Sequence, residues 1–183
     1  GASPPRQELS PEVVERIKEA TAAVVRSGGE GNQASHSAFL VHKRGKTGYF
    51  VTCLTGGETA QSLEILVRCG TPKEKKYRAA VELRDSERDF TCLIVSNAED
   101  LPEPLELKAD PKVKETETVF IAGFPVVSGD RPPSKKLQVG FRKTNVSTIR
   151  RDDAGRMTSI SVGDATNNGN SGGPMDNLAG ELV

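Results

Sequence analysis

Gly169-Asn170-Ser171-Gly172-Gly173-Pro174 is the stretch on which the fold turns. A serine set between small residues exposes its hydroxyl, and the glycines let neighbouring backbone N–H groups converge on one point, which is how an oxyanion hole is assembled. The same six residues would also close a glycine-rich hairpin with no chemistry, and taken alone the stretch admits both readings. The residues upstream of it supply the context.

Most of that upstream chain carries the period of strands. Tyr77, Ala79, Val81 and Leu83 alternate with Arg78, Ala80 and Glu82, and Leu137, Val139 and Phe141 alternate with Gln138 and Gly140. Further short β-type runs lie at Ala38 to His42, Tyr49 to Leu54, Glu64 to Cys69, Phe90 to Val95, Thr118 to Ala122, Val146 to Arg150 and Met157 to Val162. Turn residues separate them, as in Gly70-Thr71-Pro72 and Asp152-Asp153-Ala154-Gly155. One helix stands out. Ser10-Pro11-Glu12 gives a capping hydroxyl, a proline at the first helical position and an acid in the first turn, with Val13, Val14, Ile17 and Thr21 at helical spacing. The expectation is an all-β protein of about nine or ten strands, a sandwich or a pair of barrels, with an N-terminal helix. Leu101 to Lys114, with three prolines and no clear period, reads as the connector between two lobes.

The chain has 183 residues, which fits one domain or a two-lobed domain with a continuous core. Lys plus Arg and Asp plus Glu are each 25, so the basic surplus that binds a phosphate backbone is missing and nucleic acid is not an expected partner. No apolar run approaches the roughly 20 residues of a membrane helix, so no membrane contact is expected of this domain. Gly1-Ala2-Ser3 reads as a tag remnant, with residues 1–10 as tag and linker ahead of a domain cut from a longer protein. Cys53, Cys69 and Cys92 sit singly in apolar runs without paired spacing, and are expected as reduced, buried thiols. No metal site and no cofactor are expected.

With its surroundings, the Ser171 stretch resembles the nucleophile loop of trypsin-like (chymotrypsin-fold) serine proteases, most closely the bacterial high-temperature-requirement or Deg-type branch. The resemblance runs through most of the chain in order. Ser37-Ala38-Phe39-Leu40-Val41 and Gly48-Tyr49-Phe50-Val51-Thr52 look like the first hairpin of that branch. Ile65 to Cys69, Tyr77 to Leu83, and Asp85 through Arg88-Asp89-Phe90-Thr91-Cys92-Leu93 are similar to the two strands and aspartate loop that follow. Val119 to Pro125 matches the strand end opening the second barrel, and Val139 to Arg150 the strands before the nucleophile loop. The resemblance implies a double β-barrel with its first barrel at about 22–100, a connector at about 101–115 and a second barrel at about 116–183. Residues 11–183 would form the protease domain, in an extracytoplasmic setting.

The same resemblance implies the site. Ser171 takes the place of the nucleophile and Asp89 that of the orienting aspartate, with Gly169, Asn170 and Ser171 forming the oxyanion hole. Asp164, Ala165 and Thr166 form the wall of the substrate pocket. Trypsin-type preference places an aspartate six residues before the serine, where Ala165 stands here, so a pocket for small or apolar side chains is expected. The departure lies in Val51-Thr52-Cys53-Leu54-Thr55, where Thr55 occupies the catalytic histidine position. The only histidines, His36 and His42, flank the preceding strand and read as structural or surface residues. Three functions remain open on these residues. One is a pseudoprotease holding a peptide or protein partner in its cleft. The second is an active serine endopeptidase with a non-standard base, Lys43 or Lys46 being the lysines considered. The third is a purely structural β domain.

Overall fold

In a computed structural model, the structure describes residues 1–3, 7–26, 34–53, 63–124, 136–163 and 170–183. The chain opens with α1 (Pro11–Ala20), where the Ser10 hydroxyl accepts from the Val13 N–H at 3.3 Å and Pro11 starts the first turn. Thr21, expected to continue the helix, ends it instead. Its backbone is extended, and its hydroxyl donates to the Ile17 carbonyl at 2.6 Å.

Six strands follow: β1 (Thr21–Arg26), β2 (Ala34–Arg44), β3 (Thr47–Thr52), β4 (Leu63–Val67), β5 (Lys75–Asp85) and β6 (Phe90–Val95). They close into an antiparallel barrel in the order β1-β2-β3-β6-β5-β4. Its core holds Val24, Leu40, Phe50, Ile65, Leu93 and Val95, all at 0% exposure. Burying each such side chain contributes roughly 1.5–3 kcal/mol. Four more strands, β7 (Thr118–Gly123), β8 (Gly140–Arg151), β9 (Met157–Val162) and β10 (Met175–Asn177), form a second sheet in the order β10-β7-β8-β9. This mostly β architecture, a closed barrel beside a second sheet with one short helix, is the trypsin-like double-barrel arrangement the sequence led us to expect. Among the described residues the second lobe is a four-stranded sheet.

β1 carries no period in the sequence, and the structure gives the reason. Thr21 to Val25 are all buried, with Ala22 and Val24 turned into the barrel and Ala23 and Val25 turned onto Leu66, Cys69, Phe124 and Leu137. A strand covered on both faces loses the polar half of its alternation. In β5 the alternation is broken by a register shift between Val81 and Leu83 against β6, which leaves Leu83 58% exposed. The expected runs at Leu137 to Phe141 and Val146 to Arg150 join differently. β8 is continuous from Gly140, and Leu137 precedes it, buried between the lobes.

The three cysteines are free thiols, but they are not equally buried. Cys69 is 6% exposed, and burial pushes its thiol up to about 12. Cys53 and Cys92 are half-buried; in β6, Thr91, Leu93 and Val95 face inward and Cys92 takes the other side. The expectation of a buried thiol therefore holds for Cys69 alone.

Between the two sheets, Leu101 and Leu105 pack on the barrel side, and the Leu105 N–H donates to the Leu40 carbonyl at 2.9 Å. Val113 joins the second core with Val119 and Val146. α1 lies across the seam, where Ile17 and Ala20 meet Phe39 of the barrel and Ala122 of the second sheet.

Candidate active-site cleft

The serine loop is anchored from three directions, and Ser37 of β2 is the residue they share. Its N–H donates to the Ser171 carbonyl at 2.9 Å, its carbonyl accepts from the Thr52 hydroxyl at 2.7 Å, and its own hydroxyl accepts from the Phe124 N–H at 3.1 Å. One fully buried serine thus joins the end of β3, the end of β7 and the nucleophile loop. Inside the loop the Gly173 N–H donates to the Asn170 carbonyl at 3.0 Å. The Pro174 carbonyl accepts from the Ala122 N–H, also at 3.0 Å, fixing the loop's exit to β7. Ser171 itself is exposed.

The glycines in this loop are dictated by approach. At Gly172, φ is +89°, and a Cβ would lie against the Ser37 carbonyl, 2.6 Å from the Thr52 hydroxyl and 3.0 Å from the Cys53 nitrogen. At Gly173 a Cβ would lie directly against the Ala122 carbonyl. Both are held where backbone packs on backbone. Asn170 is half-buried beside Gly123, and its side-chain oxygen is buried without a hydrogen-bond partner among the described residues.

Asp89 sits at the entry to β6 with φ 50°, in the left-handed region that Asp tolerates better than most residues. It is exposed, and β6 brings it to the end of the barrel where Thr91 pairs with Thr52. Its charge reaches Cys53: burial first, and then Asp89, hold that thiol above its ordinary range. The preceding turn is closed by Asp85, whose carboxylate accepts from the Glu87 and Arg88 N–H groups and pairs with the Arg88 guanidinium at 2.5 Å. That guanidinium holds the Asp85 carboxyl below the usual range.

Of the residues assigned from sequence, Ser171, Asn170 and Asp89 fall in described segments, at the serine loop and at the neighbouring barrel end. Thr55, Gly169, Asp164, Ala165 and Thr166 lie outside the described residues. The histidines lie within β2, where flanking positions had been expected. His42 is set against Tyr49, ring centroids 5.6 Å apart. His36 adjoins Ser37 in the chain but pairs with Val24, on the face of β2 that Ala38 and Leu40 turn into the barrel. Lys43 pairs with Glu103 at 2.7 Å and Lys46 with Glu99 at 2.5 Å, which commits both lysines to carboxylates around the connector. Sequence reasoning passed over Ser37 and Thr52 as site residues. The available signal was a polar side chain at an inward strand position, since Thr52 shares its face with Phe50, and both are buried.

A family profile described as the trypsin-like peptidase domain matches residues 36–183. Over 128 residues the chain is 34% identical to the mitochondrial serine protease HTRA2 of Bos taurus, a match covering 64% of this chain and 25% of that protein. The chain therefore spans about a quarter of the length of that relative. Among solved structures it is similar to the apo MamO protease domain of Magnetospirillum magneticum, with a TM-score of 0.71 at 17% identity, covering 93% of this chain and 84% of that one. It is also similar to Deg5, with a TM-score of 0.69 at 16% identity, covering 94% and 80%. At those identities the two structures speak for the fold, and the profile speaks for the family. The chain belongs to the trypsin-like peptidase domain family.

Proposed function

We propose that this domain is a pseudoprotease that retains the serine loop and the cleft to hold an extended peptide or protein segment, without the base needed to cleave it. The observation that carries the reading is the sequence Val51-Thr52-Cys53-Leu54-Thr55, in which a threonine stands where the resembled family carries its histidine. In the chymotrypsin-fold template the serine attacks, the histidine takes and returns its proton, and the aspartate orients the imidazolium. A threonine hydroxyl is no base near neutral pH. In a subtilisin-type triad, loss of the histidine costs about 10⁶-fold in turnover, equivalent to about 8 kcal/mol of barrier. The pairing of Lys43 with Glu103 and of Lys46 with Glu99 supports the reading, because it leaves neither lysine poised as a desolvated base for Ser171.

On this reading Ser171, Asn170 and Gly169 offer hydrogen-bond donors to a bound carbonyl. Asp164, Ala165 and Thr166 wall a pocket for small or apolar side chains, and Asp89 is a remnant of the triad. A positional-scanning peptide array tests it. Binding with a preference for small or apolar residues at one position, retained in Ser171→Ala and lost in Ser171→Trp, is the expected result. Cleavage of the arrayed peptides by the unmodified chain would overturn the reading, and so would an absence of binding.

A further inference from the structure

β10, the strand that leaves the serine loop, carries a buried carboxylic acid. Asp176 is 1% exposed, and neither of its oxygens has a hydrogen-bond partner among the described residues. An ionised carboxylate in that state is strongly disfavoured, so the group stays in place as the neutral acid. Its surroundings offer little compensation. Asp176 pairs with Phe120 of β7 and bridges to Leu182, both apolar. Across Phe120 on the same face stands Lys143 of β8, whose ammonium donates to the Gln7 carbonyl at 3.1 Å. From α1 the Arg16 charge acts on Asp176, and its guanidinium donates to the Gly180 carbonyl at 2.8 Å. Glu181, beyond the turn, is paired with Lys108.

We propose that Asp176 is a proton-dependent latch on the serine loop. In its neutral form it lies in the seam under α1, and β10 holds the loop through the Pro174–Ala122 hydrogen bond. In its ionised form it leaves the seam toward Arg16 and water, and β10 loosens together with the loop it carries. Burial pushes this carboxyl up to about 7 and Arg16 draws it back only in part, so the latch would work across neutral pH. Acid holds the serine loop on β7 and mild alkali releases it. The readout depends on β10 alone and not on whether Ser171 is reactive.

Hydrogen exchange measured by mass spectrometry at pH 5 and pH 8.5, corrected for the intrinsic pH dependence of exchange, tests the latch. The expected result is at least a tenfold loss of protection across residues 170–177 at pH 8.5, with residues 90–95 of the barrel unchanged. Asp176→Asn should abolish the difference. Asp176→Val, which leaves no polar group to satisfy, should do the same and guards against an asparagine variant that folds poorly. Equal loss of protection in the barrel would mean a global effect and would overturn the latch. So would an unchanged pH dependence in the variants, or an Asp176 carboxyl whose NMR titration midpoint lies below pH 5.

Discussion

Replacing Gly172 with alanine adds one methyl group at the point where the barrel presses on the serine loop. Two effects add. An L residue at φ +89° pays the left-handed penalty, about 1–2 kcal/mol. The methyl must also displace atoms that cannot swing aside: the Ser37 carbonyl is backbone, the Cys53 nitrogen is backbone at 3.0 Å, and the Thr52 hydroxyl at 2.6 Å is held by its bond to Ser37. Overpacking of this kind costs about 1–3 kcal/mol, giving a total of about 2–5 kcal/mol. Gly155 is the control. Its φ is +79°, but a Cβ there meets nothing within 4 Å, so Gly155→Ala should cost only the backbone penalty of about 1–2 kcal/mol. For a chain of this size each kcal/mol moves Tm by about 2–4 °C. Thermal unfolding followed by circular dichroism should therefore place Gly172→Ala about 10 °C below the wild type and Gly155→Ala about 5 °C below it. Equal shifts for the two variants would refute the close packing of Ser37 on the loop.

Because Asp176 carries a proton in the folded state up to about pH 7 and loses it near pH 4 when unfolded, the folded chain binds more protons in that window. Stability should fall by up to about 4 kcal/mol as pH rises from 4 to 7, and Asp176→Val should flatten that slope in urea titrations at each pH. Thiol titration of the native protein should leave Cys69 unreactive, since burial holds it at about 12, while Cys53 and Cys92 react slowly. A fast-reacting thiol on the folded chain would contradict this. Thr55→His should raise peptide hydrolysis from nothing to a weak but measurable level, removed again by Ser171→Ala. Recovery stays partial because a misplacement of about 1 Å can cost about 100-fold.

The fold was legible wherever one strand face is wet. β3 and β6 alternate as half-buried strands do, and these two, with β7 and β9, lie within a residue or two of where the sequence places them. β1 was not legible, because Ala23 and Val25 are as dry as Ala22 and Val24 and nothing polar marks a face. Thr21 was misread for a related reason: its position fits the helical spacing of Ile17, and only its hydroxyl bond to Ile17 shows that the helix has ended. Leu83 fits a strand face by spacing, yet the register shift beside Val81 turns it to solvent. At the site, the small residues around Ser171 could be read directly, since a tight loop admits little else. The role of Ser37 could not, because it acts mostly through its backbone groups, which every residue has. Asp176 was also passed over: in sequence it is a surface-type residue beside a turn, and only three-dimensional packing shows it buried.

Whether Ser171 has a base can be measured without knowing any substrate, by intact-mass analysis after incubation with a fluorophosphonate. The account predicts an unmodified mass for this chain and a single adduct appearing in Thr55→His. A stoichiometric adduct on Ser171 of the unmodified chain, absent from Ser171→Ala, would contradict it.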